Sequence, residues 1–215
     1  MVVKIKSFLA FSLVFFLACS SSTSQQKETT SKNNEVKDSC DGPDSDINCC
    51  FVNMPDEVSH VMQIADEKEP GDRLVISGIV FLEDGATPCK NAFIYAYHTN
   101  NKGIYAKSGK ETGYQKWHGK LHGWCQTGAD GRYEIHTIRP ASYPYSSAPA
   151  HIHAAIKLPG GQSPFYIKDF VFLDDPFVDD RYKKSTPYGI GSSGIVDLKK
   201  SDVVWHGTRN IIIAE

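Results

Sequence analysis

The stretch Arg73–Leu82, RLVISGIVFL, decides the fold class of this chain. Apolar residues run or alternate along it, and Asp84-Gly85 marks a turn after it, a pattern typical of a β-strand. Similar runs follow at AFIYAYH (92–98), RYEIHTI (132–138), HIHAAIKL (151–158), FYIKDFVFLDD (165–175) and NIIIAE (210–215). Clusters of Gly, Pro, Asn and Asp separate these runs and leave little room for crossover helices. The sequence therefore predicts an all-β fold, a sandwich of two sheets.

Two segments outside these runs carry their own predictions. Residues 53–69 place apolar side chains at helical spacing before Pro70-Gly71, which predicts a short amphipathic helix or turn. Residues 100–124 form a Gly-rich and Lys-rich loop, and loops at the end of a rigid sandwich commonly carry functional residues. His118 and His122 in that loop have the spacing of metal ligands, but their polar surroundings predict that they face solvent.

The N-terminus has the layout of an export signal. Lys4 and Lys6 precede a short apolar run that ends at Ala18, and Cys19 follows. The sequence Leu-Ala-Cys-Ser resembles a bacterial lipobox, so we expect residues 1–18 to be a signal peptide and Cys19 to be lipidated. The alternative is plain secretion with cleavage near Ala18. The expected location is the cell envelope, on the periplasmic face or the cell surface, with membrane contact only through the lipid anchor.

Composition then divides the remaining chain. Residues 19–48 are polar and lack aromatic side chains, which predicts a disordered tether, and residues 49–215 form the expected single domain. The formal net charge of −2 gives no basic surface for nucleic acid, so we expect no nucleic-acid partner. In an oxidising compartment, Cys40, Cys49, Cys50, Cys89 and Cys125 allow one or two disulfides, with at least one cysteine unpaired and the connectivity open.

A candidate metal site lies in Arg139–His153, RPASYPYSSAPAHIH. On a strand, His151 and His153 point to the same side, although such a pair is often only two polar residues. Tyr105 and Tyr143 complete a candidate ligand set, since a hard trivalent ion such as ferric iron prefers anionic oxygen ligands and neutral imidazoles add no charge. Taken singly, each tyrosine fits better as an aromatic side chain packed at a loop edge than as a metal ligand.

The ordered motifs of residues 71–176 resemble the catalytic domain of the intradiol ring-cleavage dioxygenases, the catechol and protocatechuate dioxygenase family. RLVISGIVFLEDGATPCKNAFIYAYHTNNKGIY is similar to that family's opening strands and its Gly-x-Tyr motif, which here gives Tyr105. TGADGRYEIHTIRPASYPY resembles the strand leading to a second tyrosine in a Tyr-Pro turn, Tyr143. PAHIH matches the paired histidine ligands, His151 and His153.

The resemblance implies a non-haem Fe(III) enzyme with long loops at the metal-site end of its sandwich. Its implied ligands are Tyr105, Tyr143, His151 and His153, with Tyr143 and His153 axial. The implied reaction cleaves a catechol-type aromatic 1,2-diol between its hydroxyl-bearing carbons and inserts both atoms of dioxygen. Tyr143 is implied as a catalytic residue that leaves the iron and accepts a proton from the substrate.

Three positions depart from the family pattern. Tyr145 replaces the tryptophan that is usual in the family. Ala148 stands three residues before the first histidine, where the family has an arginine that stabilises charge on the substrate ring. Asp169 stands where the family has a glutamine. The alternatives are therefore an iron-binding homologue without oxygenase activity and a non-catalytic cell-surface β-sandwich that binds a glycan, peptide or protein, because a sandwich alone does not define a function. Self-association into a homo-oligomer stays open.

Overall fold

The computed structural model describes residues 40–43, 45–185 and 190–213. The expected signal peptide, Cys19 and most of the expected tether lie outside these residues. The described chain forms twelve strands. They are β1 (Val61–Gln63), β2 (Arg73–Phe81), β3 (Phe93–His98), β4 (His122–Gln126), β5 (Arg132–Ile138), β6 (His151–Lys157), β7 (Phe165–Tyr166), β8 (Phe170–Phe172), β9 (Ile195–Val196), β10 (Leu198–Ser201), β11 (Val204–Thr208) and β12 (Ile211–Ile212).

The strands form two sheets, which confirms the predicted all-β sandwich. The first sheet has the order β1-β5-β2-β11-β10, with β12 paired to the end of β2. The second has the order β4-β3-β6-β8-β9, with β7 paired to β6. The only helices among the described residues are a 3₁₀ turn (Ile47–Phe51), α1 (Gln115–His118) and α2 (Asp180–Ser185). None of these is long and apolar enough to cross a membrane.

Strand alternation separates a packed inner face of the second sheet from an outer face that carries chemistry. In β6, Ile152, Ala154 and Ile156 are fully buried in the core between the sheets. The intervening His151 and His153 point to the other side and are only partly buried. The register pairs His153 with Tyr97 of β3 and His151 with Val171 of β8. The outer face therefore gathers aromatic and imidazole side chains from neighbouring strands.

Of the helix or turn predicted over residues 53–69, the helix is wrong, because part of this segment is a strand. β1 pairs in parallel with β5, and Met62 places its side chain in the core with 1% exposure. Without this pairing, the edge of β5 would leave unpaired backbone groups. Tertiary pairing here overrides a helical spacing that rested on a few small apolar residues.

The folded chain begins earlier than the predicted boundary at Cys49. A disulfide joins Cys40 to Cys49, and both residues are buried. The described residues from 40 to 51, which we call the N-terminal clip, pack against the outer face of the second sheet: the rings of Phe51 and Tyr95 lie 6.3 Å apart, and Trp124 Nε1 donates to the carbonyl of Cys50. The expected tether of residues 19–48 is therefore ordered at its C-terminal end. Cys50, Cys89 and Cys125 are free and buried.

Loss of this disulfide should destabilise the domain. For Cys40→Ser we expect the free energy of unfolding to fall by about 2–3 kcal/mol, because a closed loop of this length restricts the unfolded chain by that amount. Thermal unfolding with and without a reductant measures the effect. The wild-type melting temperature should fall in the reductant and that of Cys40→Ser should not; a wild-type melting temperature that ignores the reductant would contradict the disulfide.

Candidate metal centre

A tight turn after β3 presents Tyr105. The Asn100 side-chain oxygen accepts hydrogen bonds from the backbone amides of Lys102 and Ile104 at 2.9 and 3.1 Å. Gly103 has a φ of 75°, and a Cβ there would collide with the carbonyl oxygen of Ser142. Only glycine fits this contact, which explains the glycine two residues before Tyr105. The turn is thereby packed directly on the loop that carries the second tyrosine.

The loop between β5 and β6 presents Tyr143. Its backbone is fastened to the first turn, because Ala141 N donates to the carbonyl of Asn100 at 3.1 Å and Thr99 Oγ1 donates to the carbonyl of Ala141 at 2.7 Å. Ser146 N then donates to the carbonyl of Tyr143 at 3.2 Å and closes a four-residue turn, Tyr143–Ser146, which we call the tyrosine turn. The two tyrosines, far apart in sequence, are thus held by mutually bonded loops.

Hydrogen bonds fix the orientation of both histidines. His151 Nδ1 donates to the carbonyl of Pro149 at 2.7 Å, and His153 Nδ1 donates to Asp169 Oδ1 at 2.8 Å. Since each Nδ1 carries the proton in these bonds, each Nε2 presents a lone pair. The two Nε2 atoms lie 3.0 Å apart. Two imidazole lone pairs therefore point toward one small volume.

All four predicted site residues meet at this volume. Tyr143 Oη lies 2.6 Å from Tyr105 Oη, 3.1 Å from His151 Nε2 and 3.2 Å from His153 Nε2. We call these two oxygens and two nitrogens the donor cluster. Among the described residues, no lysine or arginine forms a hydrogen bond with any of the four atoms. The cluster is rich in lone pairs and has no positive partner in the described chain.

Burial favours the uncharged forms of three of the four residues of the donor cluster. It raises the pKa of the Tyr105 and Tyr143 phenols and lowers the pKa of the His151 imidazole. Only the two phenol hydroxyls can then donate hydrogen bonds within the cluster, whereas all four of its atoms can accept them. A cation would reverse the shift of the phenols, because a nearby positive charge favours the phenolate form.

A model of a protein family described as Dioxygenase matches residues 49–203. The chain belongs to the intradiol dioxygenase family.

Relatives within this family are distant. Catechol 1,2-dioxygenase 2 of Acinetobacter lwoffii is 27% identical over 145 residues, which cover 60% of this chain and 50% of that protein. The protocatechuate 3,4-dioxygenase beta chain of Burkholderia cepacia is 32% identical over 92 residues, covering 40% of this chain and 39% of that one. The chain spans about half the length, or less, of the curated relatives it matches.

Solved structures share the fold. Catechol 1,2-dioxygenase from Acinetobacter sp. ADP1, inhibited by bound mercury, has a TM-score of 0.57 at 21% identity and covers 76% of this chain and 59% of its own. The dioxygenase domain of a dioxygenase carbohydrate-binding protein fusion from Streptomyces sp. SirexAA-E has a TM-score of 0.56 at 20% identity, covering 75% of this chain and 92% of its own.

In this chain, Asp169 orients a histidine. Together with His151 and His153 it forms a set whose potential ligand atoms lie within 4.8 Å of one another. Its carboxylate, however, bonds Nδ1 of His153, whereas Nε2 of the same ring faces the tyrosines. A carboxylate in this place fixes the tautomer and raises the basicity of the ring. The sequence identified the departure from glutamine but not this hydrogen bond.

Arg139 does not replace the positive charge that the family's arginine would provide at position 148. The Arg139 guanidinium makes two hydrogen bonds to Asp174, at 2.8 and 2.7 Å, and lies over the rings of Phe172 and Trp205. Its charge is therefore engaged elsewhere. Lys168 instead lines an open cleft of about 280 Å³ that also includes Asp169 and Tyr182.

The prediction that His118 faces solvent is wrong. Its ring stacks on Tyr97 with centroids 3.6 Å apart and planes 10° apart, and its Nδ1 lies 2.7 Å from Tyr95 Oη. Tyr97 in turn lies 4.8 Å from the ring of His153. Burial lowers the pKa of His118 to about 3, so this ring is neutral. The partly buried His122 hydrogen-bonds the carbonyl of Gly119 through Nδ1, so neither histidine is simply a solvated loop residue.

Removing the His118 ring should destabilise the wall behind the donor cluster. We expect His118→Ala to lower the free energy of unfolding by about 2–4 kcal/mol, because it opens a cavity beside Tyr97 and leaves the Tyr95 hydroxyl without its partner. Denaturant unfolding measures this. His60→Ala, at an exposed position, is the control and should change stability by less than about 0.5 kcal/mol. Equal effects of the two substitutions would refute the buried role of His118.

Proposed function

We propose that the chain is a non-haem ferric dioxygenase that cleaves a catechol-type aromatic 1,2-diol between its hydroxyl-bearing carbons. The observation that carries the proposal is the convergence of two phenol oxygens and two imidazole nitrogens, 2.6 to 3.2 Å apart where they pair. Membership of the intradiol dioxygenase family supports the same chemistry. The proposed ligands are Tyr105, Tyr143, His151 and His153.

The donor cluster fits a trivalent ion in two respects. Its chemistry combines two oxygens that become anionic with two neutral nitrogens, a set suited to a hard, highly charged metal. Its spacing also suits one ion, because the paired donor atoms lie 2.6 to 3.2 Å apart and neighbouring ligands with bonds of about 2 Å lie about 3 Å apart. The Nε2 lone pairs of His151 and His153 face each other, and too few hydrogen-bond donors surround them. A bound cation would supply the missing positive charge.

The residues of the chain divide the work. When bound, ferric iron would favour phenolates and polarise a chelating diol toward reaction with dioxygen. Asp169 holds His153, and Pro149 holds His151, so the two imidazoles stay fixed. Tyr105 packs near the ring of Tyr97, whereas Tyr143 belongs to a turn with an exposed tip. Tyr143 is therefore the ligand free to move, and its phenolate accepts a proton from one diol hydroxyl.

Ferric loading should give the purified protein a visible absorption band. Charge transfer from phenolate to Fe(III) requires a tyrosine ligand, so we expect the band to weaken and shift in Tyr105→Phe, which keeps Tyr143, and to disappear in the double variant Tyr105→Phe/Tyr143→Phe. His153→Ala should weaken iron binding and lower the intensity of the band. Visible spectroscopy with metal analysis checks this result. His206→Ala, at an exposed position, should keep the wild-type spectrum. A wild-type protein that stays colourless and free of iron after ferric loading would refute the proposal.

Asp169→Asn should weaken iron binding by about 10- to 100-fold, because it replaces the negatively charged acceptor of the His153 Nδ1 hydrogen bond with a neutral amide. Competition with a chelator, followed through the visible band, measures the affinity. Asp130→Asn is a suitable control, since that carboxylate lies on the surface and pairs with Arg132. If the two variants release iron equally readily, Asp169 does not support the centre.

One observation favours a second candidate, an iron-binding homologue without oxygenase activity. Ala148 brings no cation to the donor cluster, and Arg139 is paired with Asp174. Loss of one charge-stabilising group costs about 2.7–4 kcal/mol in other enzymes. Oxygen uptake with catechol separates the candidates: uptake with a ring-opened dicarboxylic acid as product supports the dioxygenase, and bound iron without uptake supports the second candidate.

We further propose that the protein acts in the cell envelope as a lipoprotein anchored through Cys19. The signal-like N-terminus supports export. The disulfide between Cys40 and Cys49 is the kind of bond that persists in an oxidising compartment.

A further inference from the structure

The tyrosine turn places a bulky residue where the backbone favours glycine. Pro144 is the second residue of the turn and Tyr145 the third, and Tyr145 has a φ of 62°. A turn with proline second and positive φ third is typically completed by Gly or Asn, because a Cβ is strained in this region. Tyr145 therefore occupies its position against the local conformational preference.

Other positive-φ residues have local reasons that Tyr145 lacks. Asn91 and Asp202 are of the types that tolerate the left-handed region. Ser192 uses its hydroxyl oxygen to accept a hydrogen bond from Ile212 N at 3.1 Å. The Tyr145 side chain is fully exposed, at 110% of the reference area, and makes no hydrogen bond or ring contact with the described residues. Its ring stabilises no other part of the described fold.

The location of Tyr145 ties it to the donor cluster. It lies two residues after Tyr143, on the solvent side of the same turn. This turn packs on the turn of Gly103, where an added Cβ would lie 3.1 Å from Pro144 Cδ. Ile104, between Gly103 and Tyr105, is also exposed, at 53%. Each proposed tyrosine ligand thus has an exposed apolar neighbour, and the two neighbours lie on abutting turns.

We propose that Tyr145, together with Ile104, determines substrate specificity by stacking on a second ring of an aromatic diol. This inference rests on the proposed function and names its substrate class: uncharged diols that extend beyond one ring. Tyr145 belongs to the same four-residue turn as Tyr143, whose hydroxyl is part of the donor cluster. Two side chains provide the area of a ring, whereas a stable protein interface needs about 800 Å² on each partner. Ser142, Pro144 and Ser146 add no charge to this surface.

The test compares two diols that differ in the second ring, 3,4-dihydroxybiphenyl and 4-methylcatechol. With the full-length, iron-loaded protein, calorimetry gives the dissociation constant for each diol, and oxygen uptake gives kcat/KM. The wild-type protein should prefer the biphenyl diol. Tyr145→Ala and Tyr145→Gly should lower this preference by about 3- to 10-fold, the worth of one aromatic pair. Tyr145→Phe keeps the ring and should keep the preference.

Thermal unfolding separates the ring from the backbone. Tyr145→Gly relieves the positive φ and should raise the melting temperature by about 2–4 °C, whereas Tyr145→Ala retains the strain. Asp202→Gly, at a distant positive-φ position, is the control and should leave the diol preference unchanged. An unchanged preference in both ring-removing variants, or an equal loss for both diols, overturns this inference alone. A wild-type protein that binds neither diol overturns the proposed function and the inference together.

Discussion

The facing lone pairs of His151 and His153 are the constraint around which the rest of the centre is arranged. Each ring is held by a hydrogen bond to its Nδ1, so neither can turn away to relieve the close approach of the two Nε2 atoms. Tyr143 offers one hydroxyl proton to both. Such an arrangement is unfavourable by itself and becomes favourable around a cation. The protein holds both histidines on the strand β6.

The register of the second sheet provides that rigidity. Pairing of β3 with β6 sets Tyr97 beside His153, and His118 closes the stack from the other side. On the opposite side of β6, fully buried aliphatic residues fill the core. A shift by one residue would exchange these two faces and place the imidazoles in the core. The hydrophobic pattern of the inner face therefore also specifies the position of the site.

The sequence showed six of the strand-forming runs and the four site residues, but not the contacts that support those residues. Apolar runs predicted the strands, and the Gly-x-Tyr, Tyr-Pro and His-x-His motifs identified the four residues of the candidate metal centre. The burial of His118 was not predicted, because it depends on contacts with Tyr95 and Tyr97. Those residues are distant in the chain, and the polarity of the residues next to His118 does not reveal them. β1 was missed because parallel pairing with β5 is a tertiary effect. The bond between Asp169 and His153 also required three-dimensional proximity, and the partner of Cys40 could not be deduced from spacing.

The N-terminal clip couples assembly of the domain to the redox state of its surroundings. Phe51 and the backbone of Cys50 cover Tyr95 and Trp124 on the outer face of the second sheet, and the bond between Cys40 and Cys49 fastens that cover. While the thiols stay reduced, an aromatic surface next to the donor cluster is left with a loosely held cover, and exposed surfaces of this kind promote aggregation. Correct maturation thus favours oxidation before the chain reaches high concentration, and production in a reducing cytosol works against it.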